Sequence, residues 1–270
     1  MTRRSAARTR RGAGFLGATA AVAAVLSAVF AVGAPGALAD AFPVNPGPIV
    51  DGRTVIGTGH NLPPITGGTY DAGGLNIEAI VAYYATSAPA DRASVAQAAR
   101  SWIPRWLKSR CGTRTPSQCH AVVVFDIDET LLGSLNYSLA QNPVNQFNPS
   151  SWDAFVRSCA YQPIPEVIAL YHELQAKGIP LVLLGGGSES LRDPWVSCLH
   201  RNGIDGWQAF ILRGPDTPAM PVAEFKARER ARIEAAGQRI VASIGDQVSD
   251  MAGGHLVRGF LLPNLLYYLG

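Results

Sequence analysis

The 270-residue chain is poor in charge, with 16% charged residues against 47% apolar ones. Disordered tails and coiled coils need a far larger charged fraction, so both classes are excluded. The sequence also has no internal repeat, no C-x-x-C pair and no histidines at zinc-finger spacing. The composition therefore predicts a globular protein, long enough for one domain with appendages or for two small domains.

The basic residues of the first forty positions explain the formal net charge of +3. Five arginines precede an uncharged apolar stretch, which ends at Ala37-Leu38-Ala39. This layout predicts a secretory signal peptide over residues 1–39, with cleavage after Ala39, and a permanent membrane anchor is the alternative. Removing the signal leaves 18 Lys plus Arg against 20 Asp plus Glu, a net charge of −2. We therefore expect a mildly acidic secreted protein.

The remaining chain lacks aromatic residues interleaved with clusters of lysine and arginine. Nucleic-acid binding by a basic patch is therefore disfavoured. We expect no nucleic-acid partner and, after signal cleavage, no membrane contact. The sequence leaves the oligomeric state open.

Four cysteines form an even set in a chain predicted to be exported, which favours disulfides over a metal site. Cys111 and Cys119 flank a short loop that contains Gly, Thr, Pro and Ser and can close on itself. The expected pairs are therefore Cys111–Cys119 and Cys159–Cys198. Free buried thiols are the alternative.

The composition and the spacing of apolar residues change along the chain. Residues 41 to about 70 are rich in Pro and Gly and predict an extended lead-in that wraps the surface, followed by two covering helices at 75–84 and about 91–108. Continuous apolar runs then occur at 121–125, 179–184, 207–212, 240–244 and 259–262, with helical patterns between them. Such alternation predicts an α/β fold with a parallel sheet covered on both faces. Ligands of such sheets bind beyond the carboxyl ends of the strands.

Three carboxylates, Asp126, Asp128 and Glu129, follow the first apolar run. Concentrated negative charge at the end of a buried strand is costly unless a cation binds there, and Mg²⁺ prefers oxygen ligands. Asp126 and Asp128 lie two residues apart, so one could attack an electrophile while the other transfers a proton. A solvated acidic turn or a structural Ca²⁺ loop is the alternative.

A second acidic segment contains Asp246 and Asp250, directly after the fourth apolar run. Two acidic strand ends in one sheet can converge on one metal. Lys226 lies in the preceding predicted helix and is one of only three lysines after the signal. It could neutralise a phosphoryl group or the acids themselves, although a solvated helix face is the usual place for a lone lysine.

The order of three segments resembles the haloacid dehalogenase (HAD) superfamily. These segments are Phe125-Asp126-Ile127-Asp128-Glu129-Thr130, then Lys226, and then Gly245-Asp246-Gln247-Val248-Ser249-Asp250. More narrowly, the order is similar to the secreted acid phosphatases of subfamily IIIB, which include plant vegetative storage proteins. The resemblance covers about residue 121 to the C-terminus. It implies a Rossmann-like parallel sheet flanked by helices, in a core over 111–270 with a small cap inserted at about 133–163. Residues 40–110 would form an N-terminal extension with covering helices.

The resemblance also implies roles for the acidic residues. Asp126 would be the nucleophile that forms an aspartyl-phosphate, and Asp128 would protonate the leaving alcohol and then activate water. Mg²⁺ would be held by the Asp126 carboxylate, the Asp128 main-chain carbonyl, Asp246 and, in support, Asp250. Lys226 would offset charge on the nucleophile and the phosphoryl oxygens. The substrate would be a small phosphate ester, and Thr130 would brace the loop.

One departure from the family pattern concerns phosphate binding. The second motif of the family ends a strand with Thr or Ser, usually followed by Gly-Arg, whereas this chain has Gly185-Gly186-Gly187. Main-chain N–H groups at Gly185 and Gly186 could still approach phosphate, Ser188 could turn inward, and Asn136 of the cap is a further candidate for substrate binding. Losing one preorganised donor lowers the rate by about 10²- to 10³-fold.

The sequence therefore predicts a secreted, Mg²⁺-dependent phosphomonoesterase that is slow or specialised. The alternative is a metal-binding or storage protein that has lost turnover. A third hypothesis is another phosphotransfer reaction on the same scaffold.

Overall fold

The computed structural model describes residues 49–50, 53–63, 68–73, 76–217 and 220–269, with the backbone alone at 49, 50, 53 and 54. The predicted signal peptide, residues 1–39, and the cleavage after Ala39 lie outside these residues. The strands are β1 Ile49–Val50, β2 Arg53–Thr54, β3 Ile56–Gly57, β4 Tyr70–Asp71, β5 Ala121–Phe125, β6 Leu132–Gly133, β7 Gln162–Pro163, β8 Leu181–Ser188, β9 Ala209–Arg213, β10 Arg239–Gly245, β11 Arg258–Leu261 and β12 Tyr267–Tyr268.

The helices alternate with the longer strands, as the apolar spacing predicted. They are α1 Ile77–Thr86, α2 Ala88–Cys111, α3 Leu135–Ala140, α4 Pro149–Ser158, α5 Pro165–Ala176, α6 Arg192–Arg201 and α7 Val222–Ala235. Two 3₁₀ turns lie at Glu189–Leu191 and Val248–Asp250. Among the described residues, no helix combines the length and the apolar character needed to cross a membrane.

The central sheet has six strands in the order β3-β11-β10-β5-β8-β9, and every neighbouring pair is parallel. The chain builds outward from β5 to β8 and β9, and then returns to place β10 on the other side of β5. The strand order therefore reverses between β5 and β10, which opens a crevice at their carboxyl ends. The predicted α/β fold with a parallel sheet is confirmed.

Alternate residues of the central strands enter two separate cores, because successive side chains of a strand point to opposite faces. Val122 and Val124 pack with Phe225 and Ile233 of α7. Val123 and Phe125 pack on the other face, with apolar residues of α2, α5 and α6. Burial on both faces explains why these strands are continuous apolar runs rather than alternating ones.

The lead-in segment takes part in the sheet. β3 pairs with β11 as a parallel edge strand, and β4 pairs antiparallel with β12 near the C-terminus. Between them, the Asn61 side-chain amide donates to the main-chain carbonyls of Asp246 and Leu262 at 3.0 and 2.8 Å. The lead-in therefore supports the loops that follow β10 and β11.

The predicted cap lies between β5 and α5. β6 and β7 form its base as an antiparallel pair, with Leu132 opposite Pro163 and Gly133 opposite Gln162. Helices α3 and α4 lie between these strands and are joined by a cluster of rings from Tyr137, Trp152, Phe155 and Tyr161. Trp152 is thus part of the packing within the cap.

Two disulfides are present, and they are the pairs expected from the sequence. Cys111–Cys119 closes the loop between α2 and β5. Cys159–Cys198 joins the end of α4 in the cap to α6 of the core. The second bond therefore fixes the base of the cap against the helix that follows β8.

Candidate active site

The three-carboxylate cluster of Asp126, Asp246 and Asp250 lies at the crevice between β5 and β10. Asp126 directly follows β5 and Asp246 directly follows β10, while Asp250 ends the next 3₁₀ turn. One carboxylate oxygen from each residue lies within 4.8 Å of the other two, and all three residues are buried. The parallel pairing of the strands accounts for this meeting of two distant segments.

Lys226 reaches this cluster from the second turn of α7. Its ammonium group donates to Asp126 Oδ1 at 2.7 Å and to Asp250 Oδ1 at 2.5 Å, and the residue is 2% exposed. Burial alone would lower the pKa of the Lys226 ammonium, but the two carboxylates outweigh burial and raise it above its ordinary value. The lysine therefore stays protonated and holds two acids together.

Asp246 is oriented by three side-chain donors. Its Oδ2 accepts hydrogen bonds from the amides of Asn264 at 2.7 Å and Gln247 at 2.8 Å. Its Oδ1 accepts from the Thr130 hydroxyl at 3.2 Å, and that hydroxyl also lies 3.4 Å from Asp126 Oδ2. Thr130, predicted to brace the loop, thus stands between the first acids of the two motifs.

Asp128 lies outside the three-carboxylate cluster and is paired with the cap. Its Oδ1 accepts a hydrogen bond from the Tyr161 hydroxyl at 3.1 Å. Burial, followed by the nearby charges of Asp126 and Glu129, raises the pKa of Asp128 well above its ordinary range. A carboxyl group in this state is suited to donate a proton.

Glu129 fixes the shape of the loop that carries Asp128. Its φ of +52° is a left-handed conformation that non-glycine residues rarely adopt. Its fully buried carboxylate accepts hydrogen bonds from the Ser134 main chain and hydroxyl at 2.6 and 2.8 Å, and from the Tyr267 hydroxyl at 3.2 Å. These contacts hold the turn in place against its conformational cost.

The charges of the site favour a bound cation. Burial raises the pKa of Asp126 to about 6, although Lys226 opposes this change. Burial also raises the pKa values of Asp246 and Asp250. Among the described residues, Lys226 is the one cationic side chain that forms ion pairs with these acids. Three buried carboxylates with a single ammonium partner fit a hard divalent cation that takes oxygen ligands.

Three glycines occupy the carboxyl end of β8, beside the end of β5. A Cβ atom at Gly185 would lie 3.1 Å from the terminal methyl carbons Ile127 Cδ1 and Leu212 Cδ2. Ser188 does not turn inward, because its exposed hydroxyl instead accepts from the main-chain N–H of Ser190. Apolar side chains therefore crowd the position where the family pattern has a hydroxyl.

The other predicted substrate-binding residues lie in different surroundings. A Cβ atom at Gly186 would make ordinary contact with Val222, the first residue of α7. The side-chain amide of Asn136 donates to the main-chain carbonyl of Ala160 at 2.6 Å, within the cap. Asn136 thus anchors the segment that carries Tyr161.

Two residues that support the site were missed by the sequence reasoning. Arg230, fully buried on α7, donates to the main-chain carbonyls of Asp250 at 2.9 Å and Gly254 at 3.0 Å and thus holds the loop after β10. It lies four residues after Lys226, on the same face of the helix, which is a signal that the sequence contains. Tyr161 reaches Asp128 through the fold of the cap, and no spacing in the sequence indicates this contact.

These features define an α/β protein with an acidic site, bridged by a lysine, at the switch point of a parallel sheet. The model of the HAD superfamily, subfamily IIIB (Acid phosphatase), matches residues 80–270. The chain belongs to this family.

Three plant proteins illustrate the similarity. Acid phosphatase 1 of Solanum lycopersicum is 35% identical over 150 residues, which are 55% of this chain and 59% of that protein. The stem 28 kDa glycoprotein of Glycine max is 33% identical over 150 residues, 54% of this chain and 59% of that protein. Vegetative storage protein 1 of Arabidopsis thaliana is 30% identical over 150 residues, 55% of each chain. The chain thus matches less than two thirds of the length of these relatives.

A solved structure supports the fold. The class C acid phosphatase from Bacillus anthracis with tungstate bound superposes with a TM-score of 0.58 and 17% identity. The superposition covers 72% of this chain and 86% of that chain.

Proposed function

We propose that this chain is a secreted, Mg²⁺-dependent phosphomonoesterase that hydrolyses small phosphate esters through an aspartyl-phosphate. The observation that carries the proposal is the position of Lys226, which binds Asp126 and Asp250 beside Asp246 in one buried cluster. An ammonium group so placed can balance both the nucleophile and an incoming phosphoryl group. Membership of an acid phosphatase family supports the same conclusion.

In the first step, a carboxylate oxygen of Asp126 attacks the phosphorus atom. A bond forms between this oxygen and phosphorus while the bond from phosphorus to the ester oxygen breaks. Asp128, protonated because burial raises its pKa, gives its proton to the leaving oxygen, so the product is a neutral alcohol. Tyr161 directs the Asp128 carboxyl group through its hydrogen bond of 3.1 Å.

In the second step, Asp128 is a carboxylate and accepts a proton from water. The water oxygen bonds to phosphorus, and the bond between phosphorus and Asp126 breaks. Inorganic phosphate leaves, and both aspartates return to their starting protonation states. Covalent catalysis thus divides one difficult displacement into two easier ones.

The residues that would hold Mg²⁺ are Asp126, the main-chain carbonyl of Asp128, and Asp246, with Asp250 in support. Bound there, the ion would offset negative charge on the phosphoryl oxygens. The chain itself keeps Asp246 oriented for this purpose through Asn264, Gln247 and Thr130.

Phosphate release from an aryl phosphate such as p-nitrophenyl phosphate tests this function at acidic and neutral pH. We expect turnover that requires Mg²⁺ and that EDTA abolishes. Asp126→Asn should lower kcat by at least about 10³-fold, because it removes the nucleophile. Asp205→Asn, at an exposed carboxylate, is the matched control and should leave kcat unchanged. If the wild-type protein has no turnover above that of Asp126→Asn, the proposal fails.

Secretion is proposed from the five arginines, the apolar stretch and the A-x-A site of residues 1–39. The two disulfides support an oxidising compartment. N-terminal sequencing of protein from the culture medium should begin at Asp40. Recovery of the uncleaved chain in the membrane fraction would instead establish the anchor.

A second candidate is a metal-binding or storage protein without turnover. Gly185 is the observation in its favour, because this residue offers no hydroxyl and its surroundings are the side chains of Ile127 and Leu212. Vegetative storage proteins among the similar chains point the same way. This candidate predicts that Mg²⁺ and tungstate bind, as calorimetry would measure, while no phosphate ester is hydrolysed.

A further inference from the structure

A cavity of about 240 Å³ lies between helices α1 and α2 and the β6–β7 base of the cap. Its walls are mostly apolar and include Val81, Ala85, Leu135 and Ile164. None of the residues of the three-carboxylate cluster lines it, and neither does Lys226. Glu129, which fixes the loop that carries Asp128, does line it, so the cavity borders the candidate active site without including the three-carboxylate cluster.

Arg92 of α2 is the cationic side chain that lines this cavity. The residue is 9% exposed, and its guanidinium lies 5.2 Å from the centre of the Tyr84 ring. Its Nε is buried and has no hydrogen-bond acceptor among the residues that the structure describes. Burying a guanidinium group costs several kcal/mol unless an acceptor or an opposite charge compensates. Burial raises the pKa of Glu129 and the Arg92 charge opposes this change, so Glu129 supplies part of the opposite charge but no hydrogen-bond acceptor for Nε.

Two acids close to Arg92 in the sequence or in the cavity wall accept hydrogen bonds from other residues. Glu129 shares the cavity wall, but its two oxygens accept hydrogen bonds from Ser134 and Tyr267. Asp91 Oδ2 accepts a hydrogen bond from the Tyr83 hydroxyl at 2.7 Å, and His60 Nδ1 lies 2.7 Å from the same oxygen. Neither acid accepts a hydrogen bond from Arg92 Nε, and the Arg92 side chain lines the cavity.

We propose that this cavity binds a small organic anion, namely a carboxylate on a short aliphatic chain. The planar guanidinium matches the two oxygens of a carboxylate, and the aliphatic chain would pack against Val81, Leu135 and Ile164. The volume is below the lower limit of about 300 Å³ for drug-sized sites, which restricts the ligand to a few carbon atoms. The proposal does not depend on the proposed phosphatase activity.

Isothermal titration of the secreted protein with hexanoate tests this site. EDTA is present throughout, so that the probe cannot bind a metal ion at the aspartates. Arg92→Met should weaken hexanoate binding by at least about tenfold, because a charge-assisted pair is lost. Arg110→Met removes an exposed arginine from the same helix and should change nothing. Acetate and hexan-1-ol should both bind more weakly than hexanoate, because acetate lacks the longer aliphatic chain and hexan-1-ol lacks the carboxylate.

A second variant covers the case in which Arg92→Met fails to fold. Ala85 lies exposed at the rim, so Ala85→Trp should block the cavity and abolish binding without disturbing the core. Ala90→Trp, at an exposed alanine of α2 that does not line the cavity, is its matched control. The proposal is overturned if wild-type protein releases no heat with hexanoate at concentrations on the order of 10 mM. Equal binding by both cavity variants, or a preference for inorganic phosphate over hexanoate, would also overturn it.

Discussion

Two parts of the carboxyl edge of the sheet differ in their chemistry: the charged edge at β5 and β10, and the β8 edge next to it. At the ends of β5 and β10, Asp126 and Asp246 meet Lys226 in a dense set of charges and hydrogen bonds. At the end of β8, Gly185 has no side chain, and its neighbours are methyl groups of Ile127 and Leu212. The acids that could hold a cation therefore lie together with Lys226, while the side-chain donor expected at β8 is absent.

This difference separates two contributions to turnover. The charged groups at β5 and β10 would supply the nucleophile and its charge balance, whereas a preorganised donor at β8 would add to the rate only if it acted more strongly in the transition state than on the bound ester. The chain is therefore expected to bind metal and phosphate well and to turn over slowly. Changes at each edge can test this division.

Lys226→Met removes the cation of the charged edge and has the largest expected effect. It should lower kcat by about 10³-fold, because the ammonium group that balances Asp126 is lost. The free energy of unfolding of the metal-free protein should fall by about 3–5 kcal/mol, since two buried carboxylates lose their partner. Phosphate release and urea denaturation measure the two effects.

Lys177→Met is the matched control, because Lys177 is exposed at the end of α5. Its kcat and unfolding free energy should equal those of the wild type. A Lys226→Met protein with normal kcat would show that the charged edge does not act in turnover.

Gly185→Ser restores a hydroxyl at the β8 edge. If the missing donor limits the rate, kcat should rise by as much as about 10²-fold while Mg²⁺ affinity stays the same. Gly185→Ala is the matched control, because it adds the same Cβ without the hydroxyl. Comparison of the two kcat values therefore isolates the hydrogen bond.

Space at Gly185 is the condition for this test. The new Cβ would lie 3.1 Å from Ile127 Cδ1 and from Leu212 Cδ2, so both side chains must shift by a few tenths of an ångström. Ile127→Val combined with Gly185→Ser removes one of these contacts and should give the larger gain. Equal kcat values for the Ser and Ala variants in both backgrounds would mean that the loop supplies the donor in another way.

The same two edges differ in how far they could be predicted from the sequence. The run 121–125 was predicted as a strand and is β5, because burial on both faces demands continuous apolar residues. The sequence also predicts that Asp126, Asp246 and Asp250 lie close together, since the carboxyl ends of parallel strands meet at one edge of the sheet. Strand β8 instead extends to Ser188, beyond its apolar run to Leu184, because Ser188 pairs with Arg213 of β9 after an irregularity in the register. The three glycines lie at this irregularity and carry no strand signal.

Contacts between distant segments could not be predicted in this way. Tyr161 reaches Asp128 because the cap folds back over β5, and the Cys159–Cys198 disulfide holds the adjoining segment to α6. Arg92 resembles any helix arginine in the sequence, and only the folded chain buries it beside Tyr84. Such contacts depend on tertiary packing, which neither periodicity nor motif spacing encodes.

The Mg²⁺ dependence of stability should depend on pH. Burial raises the pKa of Asp126 from 3.8 to about 6, so between these values the folded state binds more protons than the unfolded state. The stability of the metal-free protein therefore falls as pH rises through this window, and Mg²⁺, which needs the carboxylate form, binds more tightly above it. At 100 times its Kd, Mg²⁺ should add about 2.7 kcal/mol of stability.

Differential scanning calorimetry at pH 5 and pH 7 measures this effect. At one fixed Mg²⁺ concentration, the rise in Tm should be larger at pH 7. Asp246→Asn, which removes one carboxylate but keeps the contacts available to an amide oxygen, should reduce the rise at both pH values. A rise in Tm that is the same at both pH values would show that protonation of these carboxylates does not weaken Mg²⁺ binding.

Tyr161→Phe tests whether the cap contributes to the charged edge, and it has the smallest expected effect. The ring stays packed between Phe155 and Trp195, while Asp128 loses the hydrogen bond of 3.1 Å. We expect kcat to fall by about five- to tenfold with KM unchanged, because the proton donor is less well directed and the substrate contacts remain. Tyr171→Phe removes a hydroxyl that bonds to the main-chain carbonyl of Asp205, far along the chain from the motifs, and should leave kcat unaltered. If Tyr161→Phe raises KM instead, this hydroxyl acts on the bound substrate, and the cap contributes to substrate binding rather than to proton transfer.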